Sequence, residues 1–92
     1  MGDLYSLKPS QIMFYGTFWC GDCRRARQVF VENGVQFVDV DIDEDDKAAE
    51  FVKQVNRGNR SVPTIFFPDG SKMTEPATTA LAARLEGYKQ TA

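Results

Sequence analysis

The sequence predicts an α/β protein whose mixed four-stranded sheet carries helices on its faces, in the order β-α-β-α-β-β-α. Three observations lead there. Short apolar segments of strand length alternate with segments of helical period, glycine or proline punctuates the junctions, and Pro68-Asp69-Gly70 marks a tight turn between the last two strands. A strand-helix-strand start implies a parallel pair joined by a right-handed crossover, and a hairpin after it adds an antiparallel edge.

After a leader of about ten residues, Gln11–Gly16 (QIMFYG) is an apolar run ending at glycine, which reads as a buried strand. From Cys20 to Asn33 the period turns helical, with Cys23, Ala26 and Phe30 on one face and Arg24, Arg25, Gln28 and Glu32 off it; Asn33-Gly34 is the stop. Val35–Ile42 (VQFVDVDI) alternates apolar and acidic residues as a second strand. Asp45–Val55 gives a second helix whose inward stripe is Ala48, Phe51, Val52 and Val55. A loop, Asn56–Ser61 (NRGNRS), leads to a third strand at Val62–Phe67 that is opened by Pro63, and its partner falls around Ser71–Met73. Pro76–Tyr88 closes the chain as a helix, with Ala77, Leu81, Leu85 and Tyr88 near one face. This order is the thioredoxin-like fold in minimal form.

At 92 residues the chain is expected to form one domain over 1–92, with 1–10 as a leader. No apolar run is long enough to span a bilayer, and no secretory h-region opens the chain, so a cytoplasmic protein without a membrane partner is expected. Eleven basic against 13 acidic residues argue against nucleic acid. The acidic side chains crowd into Asp39, Asp41, Asp43, Glu44, Asp45 and Asp46. They read as a solvated strand end and helix N-terminus, since the central glycine and terminal glutamate of a calcium loop are missing.

Both cysteines lie in TFWCGDC, as Cys20 and Cys23. In a reducing compartment such a pair is metal-binding or redox-active rather than a staple. A mononuclear zinc site needs about four ligands, and the chain has no second cysteine pair and no histidine. A metal site closed within one chain is therefore not expected; zinc or an iron–sulfur cluster bridging two subunits is the remaining metal reading. The absence of histidine also removes Cys-His hydrolysis. Cys20 opens a helix, whose free N–H groups and positive dipole end favour a thiolate. Cys23, one turn on and facing inward, is the more buried thiol. Cys20 is thus expected to attack and Cys23 to resolve, with Asp22 opposing the thiolate, Arg24 and Arg25 favouring it, and Trp19 either shielding the sulfur or packing in the core. Pro63 reads on base rates as a trans proline starting a strand; a cis bond would leave the Val62 backbone free to pair with an extended thiol peptide.

FYGTFWCGDC together with NRGNRSVPTIFFPDGS resembles the glutaredoxins, and among them the mycoredoxin branch, from about Gln11 to Tyr88. The resemblance implies that Cys20 is the nucleophile and Cys23 the resolving cysteine of a thiol-disulfide oxidoreductase. Val62-Pro63 matches the cis-proline motif that receives the bound thiol. Arg60 falls where the family often places a basic group for the ligand's carboxylate, and Gly70 and Ser71 fall in a loop across the groove. No bound cofactor is implied; mycothiol or glutathione serves as reducing co-substrate, S-thiolated proteins are the clients, and the protein acts as a monomer. Asp22, where glutathione users usually carry tyrosine, and SKMTEP in place of a Gly-Gly-x-Asp-like loop favour mycothiol, as do Asn59-Arg60 and Thr74-x-Pro76. A dithiol redoxin fed by thioredoxin reductase is the nearest alternative; a cluster- or zinc-bridged carrier or sensor and an exported folding catalyst are the others.

Overall fold

Alternation along the first strand decides how the sheet is filled. In the computed structural model, which describes residues 4–88, Ile12 and Phe14 face one layer while Met13 and Tyr15 face the other, and all four are buried. The ends of the expected domain, residues 1–3 and 89–92, lie outside the described residues. The elements are β1 (Met13–Gly16), α1 (Gly21–Glu32), β2 (Val38–Asp41), α2 (Asp46–Val55), β3 (Thr64–Phe66), β4 (Lys72–Thr74) and α3 (Thr78–Leu85), followed by a 3-10 turn at Glu86–Tyr88. Their order is the expected one. The sheet runs β2-β1-β3-β4, with β1 parallel to β2 and antiparallel to β3, and with β3 antiparallel to β4.

Helices α1 and α3 cover one face through Cys23, Ala26, Val29, Phe30, Leu81 and Leu85. Helix α2 covers the other through Ala48, Phe51 and Val52. Neither sheet face is left to water, which is why β1 is apolar throughout rather than alternating apolar and polar.

Several boundaries differ from the sequence reading, three of them for a visible reason. Strand β2 starts at Val38, because Val35 donates its N–H to the Phe30 carbonyl and closes the end of α1 instead of joining the ladder. Phe37 packs against Phe30 and Phe14, with centroids 4.5 and 5.5 Å away. Strand β3 starts at Thr64, beyond Pro63, which has no N–H to give a ladder. Helix α3 covers 78–85, because Pro76 and the extended Ala77 precede it and the chain tightens into the 3-10 turn after it.

Tyr5 of the leader is tied down. Tyr5 donates its backbone N–H to the Tyr15 hydroxyl at 3.0 Å, donates its own hydroxyl to Asp45 at 2.7 Å, and sets its ring edge-on to Phe51. Carboxylates of the acidic segment likewise have structural work. Asp39 takes a two-pronged contact from Arg27, Asp41 accepts the Asp43 N–H, and Asp45 caps α2 by accepting the Ala48 N–H. Among the described residues, no group of three or more His, Cys, Asp or Glu could hold a metal ion.

Candidate active site

Strand β1 delivers the chain to the site and glycine lets it turn there. After Gly16, residues Thr17–Trp19 lead to Cys20, whose extended backbone (φ −81°, ψ 126°) makes it the N-cap of α1. Its carbonyl accepts the Arg24 N–H as the helix begins. The Cys20 side chain is half-buried and packs against the α1/α3 core layer. Cys23 is wholly buried, and Thr17 donates its N–H to Sγ at 3.5 Å. Burial pushes the Cys23 thiol up to about 11; the Thr17 N–H pulls the other way, and the Cys20 side chain adds to the rise. The two thiols are therefore unequal: one at a helix terminus with access to solvent, the other held protonated beneath it.

Just before Thr64, which pairs with Tyr15 near the end of β1, the Val62–Pro63 peptide bond is cis, as the family resemblance implies and base rates do not. The Pro63 carbonyl accepts the Glu75 N–H at 2.8 Å, so the end of β4 braces the proline. Val62 is half-buried against both core layers. Among the described residues its backbone makes no hydrogen bond to another backbone group outside the helices and strands.

Trp19 neither enters the core nor lacks a partner. It is 70% exposed, and its Nε1–H donates to Asp43 Oδ2 at 2.7 Å. Arg60 donates from Nη2 to Asp43 Oδ1 at 2.5 Å. One carboxylate thus joins the residue before Cys20 to the loop before Val62, and the two hydrogen bonds hold it below the usual carboxylate range, with Arg60 the larger cause. Arg60, which falls where the family often places a basic group for a ligand's carboxylate, holds a carboxylate of its own chain. Asp22, in the first turn of α1, is likewise paired, with Arg25.

Gly70 and Ser71 lie away from the thiols. They sit in the β3–β4 turn, at the end of the sheet marked by the Met13–Phe66 and Phe66–Lys72 pairs, whereas Cys20 and Pro63 lie beyond the Tyr15–Thr64 end. The length of β3 separates them from the thiols. Ser71 instead bonds to Asp69 and to Arg84, whose guanidinium lies 4.2 Å from the Phe67 ring centroid. The loop that does reach the proline follows β4, at Glu75, where a positive φ of 48° turns the chain. Asp43 and Glu75 were both missed. Strand direction pointed to Glu75, because a hairpin returns the chain to the end where β3 began; nothing local marked Asp43 among its acidic neighbours. A groove of about 710 Å³, lined by Tyr5, Leu7, Glu50 and Phe51 among others, lies along α2 rather than at Cys20.

Two thiols of such different exposure, carried on a thioredoxin-like sheet with a cis-proline loop beside them, suit the exchange of one disulfide for another. The fold and site thereby define a thiol-disulfide oxidoreductase. The family model described as Glutaredoxin matches residues 12–71, and the chain belongs to that family. Over 74 residues it is 43% identical to a candidate glutaredoxin of Mycobacterium tuberculosis, covering 80% of this chain and 88% of that one. Over 77 residues it is 38% identical to Mycoredoxin 1 of Corynebacterium glutamicum, covering 84% and 95%. These relatives support the mycoredoxin-like branch. In fold it is similar to the holo form of glutaredoxin C1 from Populus tremula x tremuloides (TM-score 0.64, 20% identity, 92% of this chain and 80% of that one). It is likewise similar to buckwheat glutaredoxin in complex with glutathione (TM-score 0.64, 18% identity, 88% and 72%). Among the described residues, no helix is long and apolar enough to cross a membrane.

Proposed function

We propose that the chain, acting as a single-domain monomer, removes small thiols from S-thiolated proteins, with Cys20 as nucleophile and mycothiol as the preferred reductant over glutathione. The observation that carries the reading is the inequality of the thiols: Cys20 half-exposed at the N-cap of α1, Cys23 buried and held protonated to about 11. Similarity to Mycoredoxin 1 supports mycothiol.

In the first step the Cys20 thiolate attacks the small-thiol sulfur of a protein–S–S–R mixed disulfide. The S–S bond breaks, the client leaves as a thiolate, and a Cys20–S–S–R bond forms. A second RS⁻ then attacks the R sulfur, which releases the Cys20 thiolate and yields RSSR. Alternatively Cys23, once deprotonated, attacks Cys20, so that RSH leaves and a Cys20–Cys23 disulfide remains. A raised Cys23 favours the first route near neutral pH, because the attacking species is a thiolate. Trp19, Val62 and Pro63 line the groove in this reading, with the Val62 backbone facing the thiol's peptide-like part.

The test is turnover by Cys23→Ser on one protein carrying either a mycothiol or a glutathione mixed disulfide, each supplied with its own free thiol. Retained activity favouring mycothiol is expected. Loss with both thiols would make Cys23 obligatory and overturn the monothiol route in favour of a reductase-fed dithiol redoxin.

A further inference from the structure

We propose that Asp43 sets the charge class of the thiol that reaches Cys20, by pre-empting Arg60 and so favouring a hydroxyl-rich thiol without free carboxylates over an anionic one. This rests on the proposed function, since it names the substrate class of the same site.

The argument starts from what an arginine beside a groove would otherwise do. A guanidinium with no partner presents a planar fork of donors that matches a carboxylate. Here Asp43 takes that place: Arg60 Nη2 donates to Oδ1 at 2.5 Å while Trp19 Nε1 donates to Oδ2 at 2.7 Å. Both oxygens are engaged, and the carboxylate is anchored on two sides. The Asp43 and Arg60 side chains are about one-third exposed, at 36% and 37%, so the pair meets an incoming molecule as a neutral, hydrogen-bonding surface. A second carboxylate brought to Arg60 would meet the like charge of Asp43.

Glutathione carries two carboxylates and would have to displace or crowd Asp43. A cysteine linked to sugars, as in mycothiol, carries none; its hydroxyls can donate to the spare lone pairs of Asp43 and accept from the remaining N–H groups of Arg60. The selection is as much against the wrong thiol as for the right one.

The experiment compares kcat/KM for mycothiol and for glutathione in wild type, Asp43→Asn, Asp43→Ala and Asp43→Ala/Arg60→Ala. Asp43→Asn keeps the shape and an acceptor for Trp19 while removing the charge, so it reports even if the alanine variant folds poorly. In each single variant the mycothiol-to-glutathione ratio is expected to fall about tenfold, which corresponds to about 1.4 kcal/mol, through a lower KM for glutathione. In the double variant it is expected to return towards the wild-type ratio, because the freed guanidinium is gone. A ratio unmoved by Asp43→Asn, or one that falls equally in the double variant, overturns the proposal while the oxidoreductase reading stands. A wild type that turns over neither thiol overturns both.

Discussion

Gly16 lies against the buried thiol: a Cβ added to it would stand 2.9 Å from Cys23 Sγ and 2.8 Å from Cε1 of Phe14. The strand ends on glycine because the resolving sulfur and an aromatic ring already fill the space. Gly16→Ala is therefore expected to destabilise the reduced protein by about 1–3 kcal/mol, the usual cost of overpacking a core. Urea midpoints of the two proteins check it; coincident midpoints would mean the contact relaxes without cost.

The raised Cys23 makes stability depend on pH. Its folded-state value of about 11 lies above the ordinary 9.0, so the folded protein holds this proton more tightly than the unfolded chain. The contribution is fully present below about pH 9 and is lost as pH rises towards 11. It amounts to about 2–3 kcal/mol at most. Wild type should lose more stability than Cys23→Ala across that window when both are unfolded under reducing conditions. Parallel pH profiles would show that Cys23 ionises as easily folded as unfolded.

The cysteines should separate in activity as they do in exposure. Cys20→Ser is expected to abolish turnover on mixed disulfides, because the thiolate is the attacking group, whereas Cys23→Ser retains most of it. Trapping without free thiol supplies a second readout: Cys23→Ser should then accumulate a Cys20–S–S–R adduct visible by intact mass, and an adduct on Cys23 in the Cys20→Ser variant would reverse the assignment.

Asn56 ties the end of α2 to both hairpin strands. Its Nδ2 donates to the Val52 carbonyl and to the buried Thr64 hydroxyl, and its Oδ1 accepts from Lys72 and Thr74. Asn56→Ala leaves those partners short and should cost about 1–3 kcal/mol. The loss should exceed that of Asn59→Ala in the same loop. Equal losses in thermal unfolding would mean that the hub is replaced by water.

Arg27 does comparable work beneath the active-site turn. It grips Asp39 at 2.8 and 3.1 Å and donates to the Thr17 carbonyl at 2.9 Å. Arg27→Met keeps the stem but orphans both acceptors, and about 2 kcal/mol should be lost. The Thr17 carbonyl belongs to the turn before Cys20, so activity should fall with stability. Unchanged turnover would show that the turn holds without it.

Much of this was legible in advance because it depends on periods and punctuation. Strand β1 followed by α1, with Cys20 at the boundary and Cys23 on the inward face, needs only the switch from an apolar run to a helical repeat. Pro63 marked the approach to β3 through its missing N–H, although the strand itself begins one residue later, at Thr64. Gly70 and Ser71 show where order along the chain misleads about space: they follow the Val62-Pro63 motif closely in sequence, yet β3 carries them to the opposite end of the sheet.

The sequence by itself determined the element order and the pairing of an N-cap thiol with an inward one, since these follow from local spacing and residue type. Only the tertiary structure decided what the carboxylates do. Asp43 is 17 residues from Arg60 and 24 from Trp19, and no local pattern distinguishes it from Asp41 or Glu44. The folding of β2 beside β1 brings the turn after it to both partners, and an ion pair over that separation exists only once the sheet has placed its members within a few ångströms of each other.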